Sequence, residues 1–399
     1  MRLTKRLIAV ACLMAATPAS VSANNGDQMV GYSGLSNAMG GAVVATPQDV
    51  STVLSNPAGL AFLHMGDEHT RFDMNLAVLN PNRIMNGIES DSSAFVMASG
   101  GFAFQSESYG DRVTIGVGAY PISGGGVDFP VGSLKLGSGT YSVVASRMSL
   151  RIGPGFSYKV NPDLAIGANL NLAVNQMSVK TFNAMTSTST TYPQDVAYGY
   201  SYVLGTVYQL SNKLRLGAAY TSRSHIEDLE WNMDNGKWNL SFQDPQTAAV
   251  GLSFQPNDRL QLEADVKWID FSGVRTSATL IGPTSSQVLA YGWEDQTVYA
   301  LGMKYRSNDS VTLMAGYNYG KSPLDASDVN NNVGVTAIVE HHLSAGVSVR
   351  ASKYSTLNFS VIHGFENELT ATSNLPGQTT PTNVSFETNL LTLQFTYQH

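Results

Sequence analysis

From about residue 69 to its end, the chain is a succession of short stretches that alternate apolar and polar residues with a period of two. That pattern belongs to strands whose two faces meet different media. In one of the clearest, Leu164, Ile166, Ala168, Leu170, Leu172 and Val174 interleave with Ala165, Gly167, Asn169, Asn171 and Ala173. In another, Leu260, Leu262, Ala264, Val266 and Trp268 oppose Gln261, Glu263, Asp265 and Lys267. A soluble sandwich would turn the apolar faces inward and crowd the outer faces with Lys and Glu. Here the polar faces are mostly Gly, Asn, Ser and Thr, and charged residues are only 13% of the 399-residue chain. That is about half the share of a soluble protein. Hydrophobic residues reach 43%, yet the mean hydropathy of −0.06 is too polar for helical spans, which take about 20 consecutive apolar residues each. A transmembrane β-barrel reconciles these features, because its strands are apolar toward lipid and polar toward the lumen.

Fourteen strands are predicted, at roughly 69–79, 92–106, 111–120, 146–160, 163–178, 196–210, 213–223, 247–256, 259–270, 295–306, 310–320, 340–351, 354–366 and 384–397. Short turns (Asn161-Pro162, Ser211-Asn212, Pro256-Asn257-Asp258, Ser307-Asn308-Asp309) alternate with long loops such as 121–145, 224–246 and 271–294. This asymmetry predicts an outer-membrane barrel with both termini in the periplasm, and an even strand number lets it close. Phe156, Tyr158, Tyr208, Phe254 and Tyr305 precede short turns, while Tyr120, Tyr220, Trp268 and Tyr319 stand at the long-loop ends. Two aromatic girdles at the bilayer interfaces would give that placement. The last strand puts Leu391, Leu393, Phe395 and Tyr397 on one face and ends on His399, where such proteins usually end on an aromatic residue.

Residues 1–23 read as a cleaved secretory signal. Arg2, Lys5 and Arg6 form its basic start, Leu7 to Ala16 its apolar run, and Val21-Ser22-Ala23 its small-residue cleavage site. Cys12, the single cysteine, falls inside it, and Ala9 stands where a lipoprotein signal usually wants Leu. Cleavage leaves no cysteine, so neither a disulfide nor a thiolate metal site is available. It also leaves 20 basic against 30 acidic side chains, a net charge of −10. Such a chain offers nucleic acid no basic stripe. No enzyme motif accompanies the seven histidines, and His341 and His342, adjacent on a strand, face opposite sides. Asp328-x-Asn330-x-Asn332 lacks the glycine and twelfth-position acid of a calcium loop, having Val333 and Val339 there. The expectation is a protein without metal, cofactor or enzymatic activity.

Residues 24–64 do not alternate. Gly31 to Ala42 is rich in small residues, and Asp49-Val50-Ser51-Thr52-Val53-Leu54-Ser55-Asn56-Pro57-Ala58-Gly59-Leu60-Ala61 follows. Small residues permit the close packing that a plug inside a narrow lumen needs. Asp49 or Ser51 can cap a short helical turn, which Asn56-Pro57 would end.

Small residues, then Asp-x-Ser, then Asn-Pro-Ala-Gly-Leu-Ala together resemble the N-terminal hatch of the FadL/TodX family, with the Asn-Pro-Ala core on Asn56, Pro57 and Ala58. The family transports long-chain fatty acids and other hydrophobic compounds across the outer membrane. The resemblance implies a monomeric barrel (65–399) plugged by a hatch (24–64), a hydrophobic small-molecule substrate, and surroundings of outer-membrane lipid and lipopolysaccharide. It also implies loop capture, a lumenal site, and sideways exit through a gap made by a kink in the third strand. Gly116, Gly118 and Pro121 are the candidates for that opening. Phe129, Leu134 and Leu136 in the 121–145 loop are candidates for docking the substrate, or else for packing that closes the barrel top. If the substrate carries a carboxylate, Arg151, Lys267, Lys304 and Arg350 are its candidate partners, each with a structural alternative such as pairing of Lys267 with Glu263 or Asp265. A nonspecific porin is the rival reading, and it would need an open lumen.

Overall fold

The computed structural model describes residues 25–106, 111–136, 139–183, 188–375 and 377–399, without the side chains of 181–188. The expected signal at 1–23 lies outside the described residues. Fourteen antiparallel strands form the wall: β1 (Thr70–Met85), β2 (Phe95–Ser106), β3 (Val113–Leu136), β4 (Gly139–Lys159), β5 (Leu164–Asn183), β6 (Thr188–Ser211), β7 (Leu214–Thr221), β8 (Thr247–Asn257), β9 (Leu260–Ile269), β10 (Gln296–Arg306), β11 (Val311–Gly320), β12 (His341–Arg350), β13 (Ser355–Thr370) and β14 (Asn383–Gln398). Each pairs with its sequence neighbour, and β14 returns to β1 in register from Arg71↔Gln398 to Met85↔Val384, which closes the barrel. Closure gives every wall strand a partner on both sides.

The period-two pattern sorts the side chains as expected. Leu170 and Leu204 on the outer face are 60% and 50% exposed, while Asn169, Asn171 and Ser201 between such residues are buried inside. Phe156, Tyr208, Phe254 and Tyr305 are exposed on the outer wall. Trp268 donates its indole N–H to Asp295 at 3.1 Å, and Tyr319 stacks on His341 with centroids 4.7 Å apart. Tyr120 is the exception. It shares the parity of Gly116 and Gly118, points inward, and is fully buried. Glycine at 101 and 118 makes the room, since a Cβ at either would meet its ring or hydroxyl.

Three stretches read as loops are structured. Residues 121–136 and 139–145 form the outer halves of β3 and β4, paired from Pro121↔Leu150 to Leu136↔Gly139. The glycines and prolines of 121–132 resemble turn chemistry, but the apolar strand opposite, with Val143↔Phe129 and Ala145↔Val127, overrides it. Loops 224–246 and 271–294 each contain a hairpin. Leu229–Met233, Gly236–Leu240, Ser277–Ile281 and Ser286–Ala290 join as a separate four-stranded sheet.

Residues 25–64 lie within the wall. Helix α1 (Gly34–Ala38) starts with a capping box, in which Ser33 Oγ accepts from the Ser36 N–H at 3.2 Å and Ser36 Oγ from the Ser33 N–H at 2.8 Å. Past its C-cap Met39 come Gly40 and Gly41, whose φ values of +63° and +82° favour glycine. Helix α2 (Thr52–Ser55) stops at Asn56, which is extended ahead of Pro57, and a 3₁₀ turn (Pro57–Phe62) follows. The wall receives this segment at glycines. A Cβ on Gly155 would strike Val53, on Gly167 the Ala58 backbone, on Gly217 the Val44 carbonyl, and on Gly346 the Ala38 methyl.

Candidate functional site

Among the described residues, the wall parts between β2 and β3. β2 and β3 pair only from Ser106↔Val113 to Gly100↔Ala119. Beyond that, β2 continues beside β1 as far as Leu79↔Phe95, while β3 continues beside β4. Pro121 stands at the divergence, where its missing N–H cannot serve a β2 partner, and the β3–β4 register slips at Ile122. The freed β3 edge is taken from inside: Met29 N–H donates to the Ile122 carbonyl at 3.0 Å and Gly124 N–H to the Asp27 carbonyl at 2.9 Å. Gly116 and Gly118 remain paired on both sides. Their service is room, for Leu60 and for Val53 and Tyr120 respectively. Of the three opening candidates, Pro121 alone lies at the break. Met29 and Val30 meet Leu79, Phe95 and Met97 in an apolar cluster next to it.

A buried ion cluster lies above. Arg147 of β4 donates to Asp27 Oδ2 at 2.9 Å and to Ser123 Oγ at 2.9 Å, and pairs with Asp244. Arg275, in a helical turn α3 (Ser272–Arg275), reaches Asp27 Oδ2 at 3.1 Å. Asp244 also accepts from Ser149 at 2.6 Å and from Ser224 at 3.3 Å. Burial alone would raise its carboxyl pKa, but Arg147, then Arg151, Ser149 and Arg275, hold it well below the usual range. One cluster thus joins the N-terminal segment, the wall and two long loops. Phe242 lies under both guanidiniums, with its centroid 3.8 Å from the Arg275 carbon and 4.9 Å from that of Arg147. With Met177, Tyr291, Trp293 and Val335 it lines a cavity of about 30 Å³.

The N-terminal segment has its own ties. Asn56 donates to the Val44 carbonyl at 2.8 Å and to the Thr206 carbonyl of β6 at 3.1 Å, and accepts from the Ala58 N–H at 3.2 Å. Asp265 on β9 accepts from the Val43 and Val44 N–H groups at 2.7 and 2.9 Å. Asp49 accepts from Ser33 at 2.5 Å and from Gln394 of β14 at 3.0 Å, and Asp73 on β1 accepts from the Val50 N–H at 2.9 Å. Burial and then the charge of Asp73 raise the Asp49 pKa, against Arg71 and the Ser33 and Ser51 hydrogen bonds. Pro57 and Ala58 pack on the inner wall, where the Ala58 carbonyl accepts from Ser157 at 3.1 Å.

The four basic candidates do not converge. Arg151 joins the ion cluster through Ser224 at 3.2 Å. Lys267 borders a cavity of about 50 Å³ between Val44, Leu54 and Ala219. Lys304 donates to Gln48 at 3.0 Å, and Arg350 is exposed at the far end of β12. Phe129 and Leu134 are fully buried and Leu136 nearly so, in a cluster with Phe271, Trp293, Ile338 and Phe386 that roofs the barrel. They face other loops in this conformation. The sequence reading missed Asp27, Arg147, Asp244 and Arg275. Arg147 was within reach, because it shares the inward parity of Ser149 and Arg151. The other three act from the N-terminal segment and the loops, whose positions no periodicity reveals.

A closed antiparallel barrel, apolar outside and polar within, defines an outer-membrane protein of the Gram-negative type. The family described as "Outer membrane protein transport protein (OMPP1/FadL/TodX)" matches residues 13–399, and the chain belongs to it. It is thus a transport protein and not an enzyme. The fold is similar to that of the P. putida toluene transporter TodX, at 21% identity and a TM-score of 0.77 over 93% of this chain and 99% of that one. It is similar too to the Ralstonia pickettii toluene transporter TbuX (19%, TM-score 0.76, over 92% and 98%) and to a Pseudomonas aeruginosa FadL homologue (15%, TM-score 0.78, over 94% and 99%). No curated protein matches the sequence.

Proposed function

We propose that the protein carries hydrophobic small molecules from outside the cell into the outer membrane, with residues 25–64 as its hatch. The observation that carries this reading is the parting of β2 from β3 beside an apolar cluster, under a roof of buried loop side chains. A compound would enter beneath the roof, rest among Met177, Phe242, Tyr291 and Trp293, and leave sideways past Pro121. The interior cavities of about 30 and 50 Å³ are too small for such a molecule, so passage requires loops and hatch to shift. Fatty acids and aromatic hydrocarbons are the two substrate classes to compare, the latter because TodX and TbuX are toluene transporters. Export by a cleaved signal at 1–23 and a monomeric state complete the reading.

The test compares uptake of labelled dodecanoate and toluene by cells lacking or expressing the protein. A Ser99→Cys, Tyr120→Cys pair, at the next positions of the interrupted ladder, would staple β2 to β3. Uptake should depend on the protein, fall when the pair is oxidised, and recover on reduction. Uptake that ignores the protein, or a steady large conductance in planar bilayers, would sink the proposal.

A further inference from the structure

The outer wall carries a recess across β6, β7, β8 and β9, with β4 and β5 between it and the parting of β2 from β3. It is a groove of about 560 Å³, a volume in the range of small-molecule sites. Gly205, Gly217 and Gly251 turn inward onto the N-terminal segment, so by the alternation of the strands Thr206, Ala218 and Ala248 turn toward lipid. Thr206 lies opposite Ala218, and Ala248 opposite Tyr220 and Trp268. The three small side chains form the floor of the groove. Val266 flanks it, and Tyr220 and Trp268 bound its end toward the long loops. Long loops of such barrels lie outside the cell, so the groove faces the outer leaflet.

At that end the apolar groove passes into a connected polar chain. The Tyr220 hydroxyl donates to Gln246 Oε1 at 2.7 Å, and the Gln246 amide donates to Asp270 Oδ2 at 2.8 Å. Asp270 also accepts from the Gly273 N–H at 3.1 Å. Arg223 approaches the same carboxylate only to 3.6 Å, and its side chain is 40% exposed. Neutral donors thus serve Asp270 at ordinary hydrogen-bond length, and the guanidinium keeps N–H donors for an acceptor at the headgroup level. An apolar groove alone would take any hydrocarbon chain, and an exposed arginine alone any anion. Joined through Tyr220, Gln246 and Asp270, they suit a lipid that carries an acyl chain and a phosphate.

We propose that this groove is a binding site for lipid A, the phosphorylated anchor of lipopolysaccharide, with an acyl chain over Thr206, Ala218 and Ala248 and a phosphate on Arg223. The guanidinium meets the phosphate through paired hydrogen bonds. A phosphate monoester, as lipid A bears, carries about −1.5 to −2 charge near neutral pH, more than the single charge of a phospholipid diester. The rings of Tyr220 and Trp268 lie where chain gives way to headgroup. Arg223 stands at the root of the 224–246 loop, Gln246 at its end, and Asp270 at the root of the 271–294 loop. Bound lipid A therefore clamps the bases of two long loops from the membrane side. The site is separate from any path of the transported compound.

The experiment titrates the full-length protein in nonionic detergent with diphosphoryl lipid A, its dephosphorylated form, and phosphatidylglycerol, read by native mass spectrometry. Wild type should bind diphosphoryl lipid A more tightly than phosphatidylglycerol, and at least ~10-fold more tightly than the dephosphorylated form, the worth of a charge-assisted contact. Arg223→Gln should remove that margin and leave the dephosphorylated form unchanged. Ala218→Phe and Ala248→Phe fill the groove and should weaken both forms of lipid A together. Both face lipid and keep the wall apolar, so they carry the test if Arg223→Gln does not yield a folded, heat-modifiable barrel. Leu393→Phe, on the outer face of β14, should change nothing. Equal wild-type affinity for the three lipids would reduce the groove to ordinary bilayer contact and overturn the proposal. Undiminished lipid A binding in both groove-filling variants would overturn it too. So would a wild-type dimer that Ala218→Phe dissolves, since the groove would then belong to a second copy of the chain.

Discussion

At the residue scale, two buried carboxylates respond to acid in opposite ways. The folded pKa of Asp244 is lowered, burial being outweighed by Arg147, Arg151, Ser149 and Arg275. Its stabilisation is present above the ordinary carboxylate value of about 3.9 and is lost as pH falls below that toward the folded value. The 224–246 loop should therefore loosen from the wall below about pH 4, seen as faster hydrogen exchange there while the barrel ladder stays protected. Asp244→Asn should loosen it already at neutral pH, by about 3–5 kcal/mol, the usual cost of breaking a buried pair. Asp49 runs the other way. Burial and Asp73 raise its folded pKa, so folding gains stability as pH falls through that value, and the tie between the N-terminal segment and the wall should survive acid that frees the loop. An exchange profile in which both regions loosen together would contradict this assignment. Asn56 makes its point without titrating: Asn56→Ala removes three hydrogen bonds. Residues 44–60 should then exchange roughly 10-fold faster or more, since each buried bond lost costs about 1–3 kcal/mol.

At the element scale, the small four-stranded sheet of the long loops depends on Trp231, which is 2% exposed, lies 5.2 Å from the Tyr192 ring, and donates its indole N–H to the Pro193 carbonyl at 2.6 Å. Trp231→Ala should cost about 3–5 kcal/mol locally, read as proteolytic nicking of 224–246 with an intact heat-modifiable barrel. Nicking no faster than in wild type would show that the sheet is held some other way. This sheet also marks where sequence reading stops. All fourteen wall strands were legible because one face meets lipid and the other the lumen, a contrast written into every second residue. The hairpins of 224–246 and 271–294 bury one face on other loops, so their alternation is short and broken, although Asn235-Gly236 is a standard hairpin signal. For the same reason the outer half of β3 read as a loop, and for Phe129 and Leu134 substrate docking and packing that closes the barrel top could not be told apart. In the candidate site, Pro121 was legible because a missing N–H is a local fact. The convergence of Asp27, Arg147, Asp244 and Arg275 depends on loop placement and was not.

At the scale of the whole molecule, the wall and the segment within it are matched so closely that each constrains the other. The inner face gives up its side chains at Gly155, Gly167, Gly205 and Gly217, where Val53, Ala58, Asn56 and Val44 press against the backbone. A barrel of fourteen strands bare of this segment would enclose water, because its inner face is otherwise Asn, Ser, Thr and paired charge. Apart from the β2–β3 break, the ladders of the wall, the β14–β1 ladder included, close through wall residues alone. Deleting 25–64 should therefore leave a barrel that inserts and resists detergent unfolding but conducts ions steadily in planar bilayers, while the intact protein stays closed. Gly217→Val should give a graded version, with brief openings, because its side chain would press against the Val44 carbonyl without removing the segment. If the deletion variant inserted and remained as silent as wild type, the roof of loops would be the true seal. Residues 25–64 would then serve to brace β3 through Met29 and Gly124 rather than to plug the lumen.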